Sequence, residues 1–126
     1  MNRILFSSTS FILIIILCFF GIYKIKSLTE PIISEIDKVI LYSYDGNLEK
    51  ASENLENACE QWEDAYSILE VFLMHTDLKE INEIFVRIFA YIENKDSSSL
   101  YIESKELIYR LEYLLLKEKF SFKNIF

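Results

Sequence analysis

The sequence predicts an all-α protein: one N-terminal transmembrane helix followed by about four antiparallel helices, arranged as two helical hairpins or an irregular four-helix bundle. Three observations carry this reading. Residues 4–23 form an uncharged, largely apolar run, and apolar residues beyond it recur at steps of three and four. The 126 residues are 52% apolar and 15% aromatic with only two Gly and one Pro, a balance that excludes turn-rich β sandwiches and disordered chains.

The apolar run reads ILFSSTSFILIIILCFFGIY and carries no formal charge. As a helix it would extend about 30 Å, the thickness of a bilayer's hydrocarbon core. Ser7, Ser8, Thr9 and Ser10 can return their hydroxyl protons to carbonyls one turn earlier, and Tyr23, Lys24 and Lys26 supply an interfacial collar. A domain this small could not cover such a segment on all sides, which argues against a buried core helix. The rival is a cleaved signal peptide, since Arg3 precedes the run, but no pair of small residues spaced for cleavage follows it. Lipidation at Cys18 is disfavoured by the bulky Leu17 before it. Residues 1–26 are therefore read as a tail and signal anchor, and residues 27–126 as an acidic helical domain. Positive charge nearly balances across the span, so the very short N-terminal tail decides orientation and favours an extracytoplasmic domain on a single-pass cell-membrane protein.

Charge divides sharply. Residues 1–26 carry three basic and no acidic side chains, leaving ten basic and all twenty acidic groups in the remainder. A surface this negative repels phosphate backbones and anionic headgroups, so nucleic-acid binding is disfavoured and the domain is expected to stand off the bilayer. The two cysteines, Cys18 in the apolar run and Cys59 in the middle of the domain, are placed too far apart for an intramolecular disulfide, and Cys59 reads as a half-buried helix residue.

In the soluble part, Ser27 to Pro31 signal an exit from the membrane, with Thr29 capping a new helix that carries Ile32, Ile33, Ile36, Val39 and Ile40. Asp45-Gly46-Asn47 is a strong turn signal. The next helix has the clearest pattern: Leu48, Ala51, Leu55, Ala58, Trp62, Ala65, Leu69 and Phe72, with alanines that let a neighbour approach and larger residues that fill the layers between. His75 and Thr76 end it, and Asp77 with Glu80 resembles a capping box for a helix bearing Leu78, Ile81, Phe85, Ile88 and Ile92. A break at residues 94–99 precedes a last helix with Leu100, Leu107, Leu111 and Leu114, ending near residues 117–119. The apolar tail at residues 120–126 is expected to fold back over the bundle; the alternative is that its aromatics form a partner-binding patch or touch the membrane. A shift of 52 residues superposes Ile33 on Phe85, Ile36 on Ile88, Ile40 on Ile92, Leu48 on Leu100 and Leu55 on Leu107, as two related hairpins would.

Chemistry is sparse. Glu49, Glu53, Glu56, Glu60 and Glu63 form an acidic stripe along one helix, which offers only neighbouring pairs where tight calcium binding needs six to eight convergent oxygens. One His and no Glu-x-x-His pair exclude a carboxylate-bridged di-iron bundle. His75, read near a helix C-terminus, is expected to be structural. There is no glycine-rich phosphate loop, Cys or His cluster, or nucleophile with a base. No catalytic, cofactor-binding or metal residue can be named, and no enzymatic activity is expected.

The chain resembles a family of small proteins from clostridia and related Gram-positive bacteria catalogued only as a domain of unknown function. The resemblance rests on the N-terminal anchor, the Asp45-Gly46-Asn47 turn before Ala51, Leu55 and Trp62, the segment from Phe72 through His75 to Asp77 and Ile81, and the terminal Asn124-Ile125-Phe126. It implies a membrane-anchored helical protein working beside another integral membrane protein, with no activity or cofactor to carry over. The reading is a non-enzymatic structural or protein-interaction role at the cell envelope, with residues 4–23 in the membrane. The alternative is an envelope sensor whose helices hold an ion or small ligand.

Overall fold

In the computed structural model, which describes residues 2–125 apart from the side-chain surroundings of Ser121, Phe122 and Ile125, the chain forms four helices: α1 (Asn2–Tyr44), α2 (Leu48–Phe72), α3 (His75–Glu93) and α4 (Ser97–Ile125). The expected architecture is corrected on one point. There are four helices in all, not four after an anchor, because the apolar run and the first bundle helix are one uninterrupted α1 of 43 residues.

Ser27 to Pro31 was the expected break, and Pro31 does lack the N–H that would bond the Ser27 carbonyl. A proline inside a helix costs about 3 kcal/mol relative to alanine. Here Pro31 and Ser27 are both exposed, so the freed carbonyl faces water rather than the core. On the opposite side Ile25, Ile32, Ile36 and Val39 are wholly buried, each contributing about 1.5–3 kcal/mol. Thr29 does not cap a new helix. It is buried, and its hydroxyl donates to the Ile25 carbonyl at 2.9 Å, one turn back. The buried face of α1 runs Gly21, Ile25, Thr29, Ile32, Ile36, Val39 and Ser43, leaving Ile33 and Ile40 at its half-buried edges.

The helices run up and down in sequence order, with α1 packed on α2 and α4, and α3 on α4 and, least extensively, α2. The expected α2 seam holds: Ala51, Leu55, Ala58, Trp62, Ala65 and Leu69 are all buried, with Leu48 and Phe72 half-buried at its ends. The alanines let α2 lie close along α1. At one end of the bundle Phe72 abuts Gly21, where an added Cβ would meet its ring at 3.2 Å, and Phe72 also sits beside Phe20 with ring centroids 6.4 Å apart. The narrow α2–α3 edge is spanned by Trp62, whose Nε1 donates to Asn82 Oδ1 at 2.6 Å and whose ring stacks on Phe85 at 6.2 Å.

The capping box expected at Asp77 and Glu80 is not made. The helix α3 begins at His75 after Met74, which has no side-chain cap, and both carboxylates pair across to α4 instead. Lys117 Nζ lies 2.9 Å from Asp77, Arg110 lies 3.0 Å from Glu80, and Arg87 lies 3.4 Å from Glu103, three rungs that register α3 against α4. The seam of α4 contains the expected Leu100, Leu107, Leu111 and Leu114, joined by a fully buried Ser104; on α3, Ile84 joins the expected buried set. The tail does not fold back. The helix α4 continues to Ile125 with Phe120 exposed, because nothing between Lys117 and Asn124 breaks a helix; Phe126 lies outside the described residues.

Both hairpin turns have the same construction. Asn47 N–H bonds the Tyr42 carbonyl and Gly46 N–H that of Ser43; 49 residues later Asp96 N–H bonds Tyr91 and Lys95 N–H bonds Ile92. These are paired Schellman closures with the left-handed residue at Gly46 (φ 76°) and Lys95 (φ 56°). Asn47 and Asp96 then cap the following helices, accepting from the backbone of Lys50 and Ser99. The internal correspondence is therefore at 49 residues, not 52. The three serines at 97–99 open α4 rather than forming the break, and an error of three residues is nearly one helical turn, so apolar positions still coincided.

Two stability measurements follow from this packing. Trp62→Ala removes the contact that spans the α2–α3 edge and should cost about 3–5 kcal/mol in denaturant unfolding. Lys95→Gly relieves a side chain held at positive φ and should stabilise by about 0.5–1 kcal/mol, whereas Gly46→Ala should destabilise.

Candidate functional site

The most distinctive surface is the N-terminal part of α1. Up to Phe20 no described residue is buried, and Ile4, Leu5, Phe6, Phe11, Ile12, Leu13, Ile14, Ile16 and Leu17 are all at least half exposed. The bundle closes around α1 only from Gly21 onward. This helix is long and apolar enough to cross a membrane, with 6% of its most apolar stretch buried, features that a signal anchor and a signal sequence share. Thr9 returns its hydroxyl proton to Leu5 at 2.7 Å, as expected for the polar residues of this segment.

The acidic stripe of α2 is where the sequence placed it. Glu49, Glu53, Glu56, Glu60 and Glu63 are all exposed, on the side of the helix away from its buried seam. Among the described residues no three His, Cys, Asp or Glu side chains come together in a way that could hold a metal ion. His75, read near a helix C-terminus, lies instead at the start of α3; it is exposed, with Nδ1 3.5 Å from the Tyr66 hydroxyl. At the end of the bundle that carries both hairpin turns, a surface groove of about 500 Å³ is lined by Ser43, Tyr44, Ser97, Ser98, Tyr101 and Ile102. Tyr44, at 80% exposure, leaves this groove open to solvent rather than enclosing a ligand.

A feature that sequence reading missed runs along the outside of α4. Ile102, Tyr109, Tyr113, Leu116 and Phe120 recur at steps of seven, four, three and four and are exposed. Tyr109 and Tyr113 stack with ring centroids 6.3 Å apart. The leucine seam masked this second apolar stripe, because the two faces together make α4 apolar over more than half its circumference.

Cys59 is half-buried and its Sγ lies 3.8 Å from Glu63 Oε1. Burial, with the Glu63 charge and hydrogen bond, pushes the thiol above its ordinary range. Alkylation of Cys59 should accordingly be slow at neutral pH and accelerate as pH rises. Glu63→Gln removes the repelling charge, lowers the thiol's pKa and should speed the reaction near neutrality, which a stopped thiol-labelling series would measure.

No curated protein and no solved structure matches the chain. A family match covers residues 19–125, beginning within two residues of the point where the bundle first buries α1. Over that span the chain belongs to the DUF4363 family, a domain of unknown function.

Proposed function

We propose that α1 anchors this protein in a membrane through residues 4–23 and displays the bundle as a non-enzymatic interaction module at the cell envelope, on the extracytoplasmic side. The observation that carries the proposal is the bare stretch of α1. Roughly 25 Å of uncharged, largely apolar helix, from Ile4 to Phe20 at the usual rise per residue, lies beyond the buried core that the four helices build. Water is a poor solvent for such a surface and a bilayer is a good one. The stripe of Ile102, Tyr109 and Tyr113 on α4 supports a protein partner, since a row of exposed aromatic and aliphatic side chains at helical spacing suits a facing helix.

Two measurements on the full chain in cells test the proposal. Alkaline extraction should leave the protein in the membrane pellet at full-length mass; a soluble product shortened by roughly twenty residues would make the segment a signal sequence instead. With Cys18 and Cys59 replaced by serine and Asn94→Cys introduced at the exposed α3–α4 turn, a membrane-impermeant thiol reagent should label before lysis. Labelling only after lysis would place the bundle in the cytoplasm.

A further inference from the structure

We infer that the end of the bundle next to the bare stretch of α1 is itself a membrane-docking surface, in which the α2–α3 tip and the last turns of α4 enter the interfacial layer of an anionic leaflet. This rests on the anchor reading above and adds a second, peripheral contact to it.

The topology brings three separate segments to that end. Phe72 at the close of α2 packs on Gly21 and Phe20, so the α2–α3 tip lies level with the last turn of the apolar run. Lys117 reaches that same tip, with Nζ 3.6 Å from Met74 Sδ and 2.9 Å from Asp77. From Lys117, eight more residues carry α4 about 12 Å further, antiparallel to α1 and toward its N-terminal part. If residues 4–23 lie in a bilayer, these turns cannot avoid its surface.

Their composition suits that surface. Val71, Met74, Leu116 and Phe120 are 77%, 61%, 63% and 63% exposed, large apolar side chains left open at a single pole. Lys119 and Lys123 stand exposed among them, and Lys24 and Lys26 follow the apolar run on α1. From Leu116 onward α4 carries three lysines and one glutamate, whereas the exposed stripe of α2 is wholly acidic. Glu70, Asp77 and Glu118 offset part of this positive charge, but the pole is less acidic than the stripe of α2 and combines apolar anchors with cations as interfacial segments do. Lys117 is partly neutralised by Asp77, whose hydrogen bond holds the ammonium above its ordinary range, and serves to fix α4 against the tip.

The test uses the full chain reconstituted in vesicles of mixed neutral and anionic phospholipid, with Cys18 and Cys59 replaced by serine. An environment-sensitive fluorophore is attached in turn to Phe120→Cys, to Ile102→Cys on the same face of α4 but far from the pole, and to Leu13→Cys within the apolar run. The expected result is a blue-shifted probe at 120, quenched by lipids bearing a nitroxide near the headgroup and several-fold less quenched by aqueous iodide than the probe at 102. Replacing both Lys119 and Lys123 with glutamate should reverse part of that protection. Equal iodide quenching at 120 and 102, with the probe at 13 buried in lipid, would overturn the docking surface and leave the anchor standing. An iodide-accessible probe at 13 would overturn both.

Discussion

The structure depends on one constraint: a single helix must satisfy two environments in succession. From Ile4 to Phe20, α1 is uncharged and has no buried residue, and from Gly21 it becomes a one-sided helix whose buried face carries about a fifth of the apolar core. Nothing separates the two regimes, so the bundle's geometry is built outward from a helix already directed by its first half. Pro31 is tolerated because its missing hydrogen bond falls on the wet side. The two helices that flank α1 then meet it through different means: α2 by the small side chains of Ala51, Ala58 and Ala65, α4 by leucines.

The remaining edges are weaker and more polar. Charge rungs join α3 to α4, and exposed pairs of this kind contribute at most about 1 kcal/mol each, setting register more than strength. The α2–α3 edge leans on Trp62, whose indole fills the gap and whose N–H finds Asn82, a division of labour that suits a large side chain with one polar edge. A bundle with one tight edge and one held chiefly by an aromatic bridge opens preferentially at the latter.

Much of this was legible in the residues, and the failures share a cause. The α2 seam and the Leu100 to Leu114 positions could be read because burial imposes a period that few other arrangements mimic. The Asp45-Gly46-Asn47 turn could be read because Gly46 occupies a conformation other residues resist. The break at Pro31 and the capping box at Asp77 were local signals overruled by contacts from elsewhere in the fold, whereas the end of α4 near residue 119 was placed where no residue breaks a helix. The second turn was read at residues 94–99, but not its left-handed residue, since a lysine at positive φ leaves no trace in a composition-based reading. Among the described residues no three His, Cys, Asp or Glu side chains gather as metal ligands would, so no such cluster stood to be read. The exposed stripe of α4 became visible only when the leucine seam had been assigned to the core.

The close approach of Phe72 to Gly21 has a mechanical meaning. As one uninterrupted helix of 43 residues, α1 behaves as a cantilever, its outer part largely exposed and its inner part packed between two helices. Tilt or rotation of the outer end would be passed along the helix to the lip of this clamp, at Gly21. That lip is one glycine facing one aromatic ring, a contact too small to absorb displacement and too close to ignore it. Displacement of the outer segment would therefore bear first on Phe72 and the α2–α3 tip.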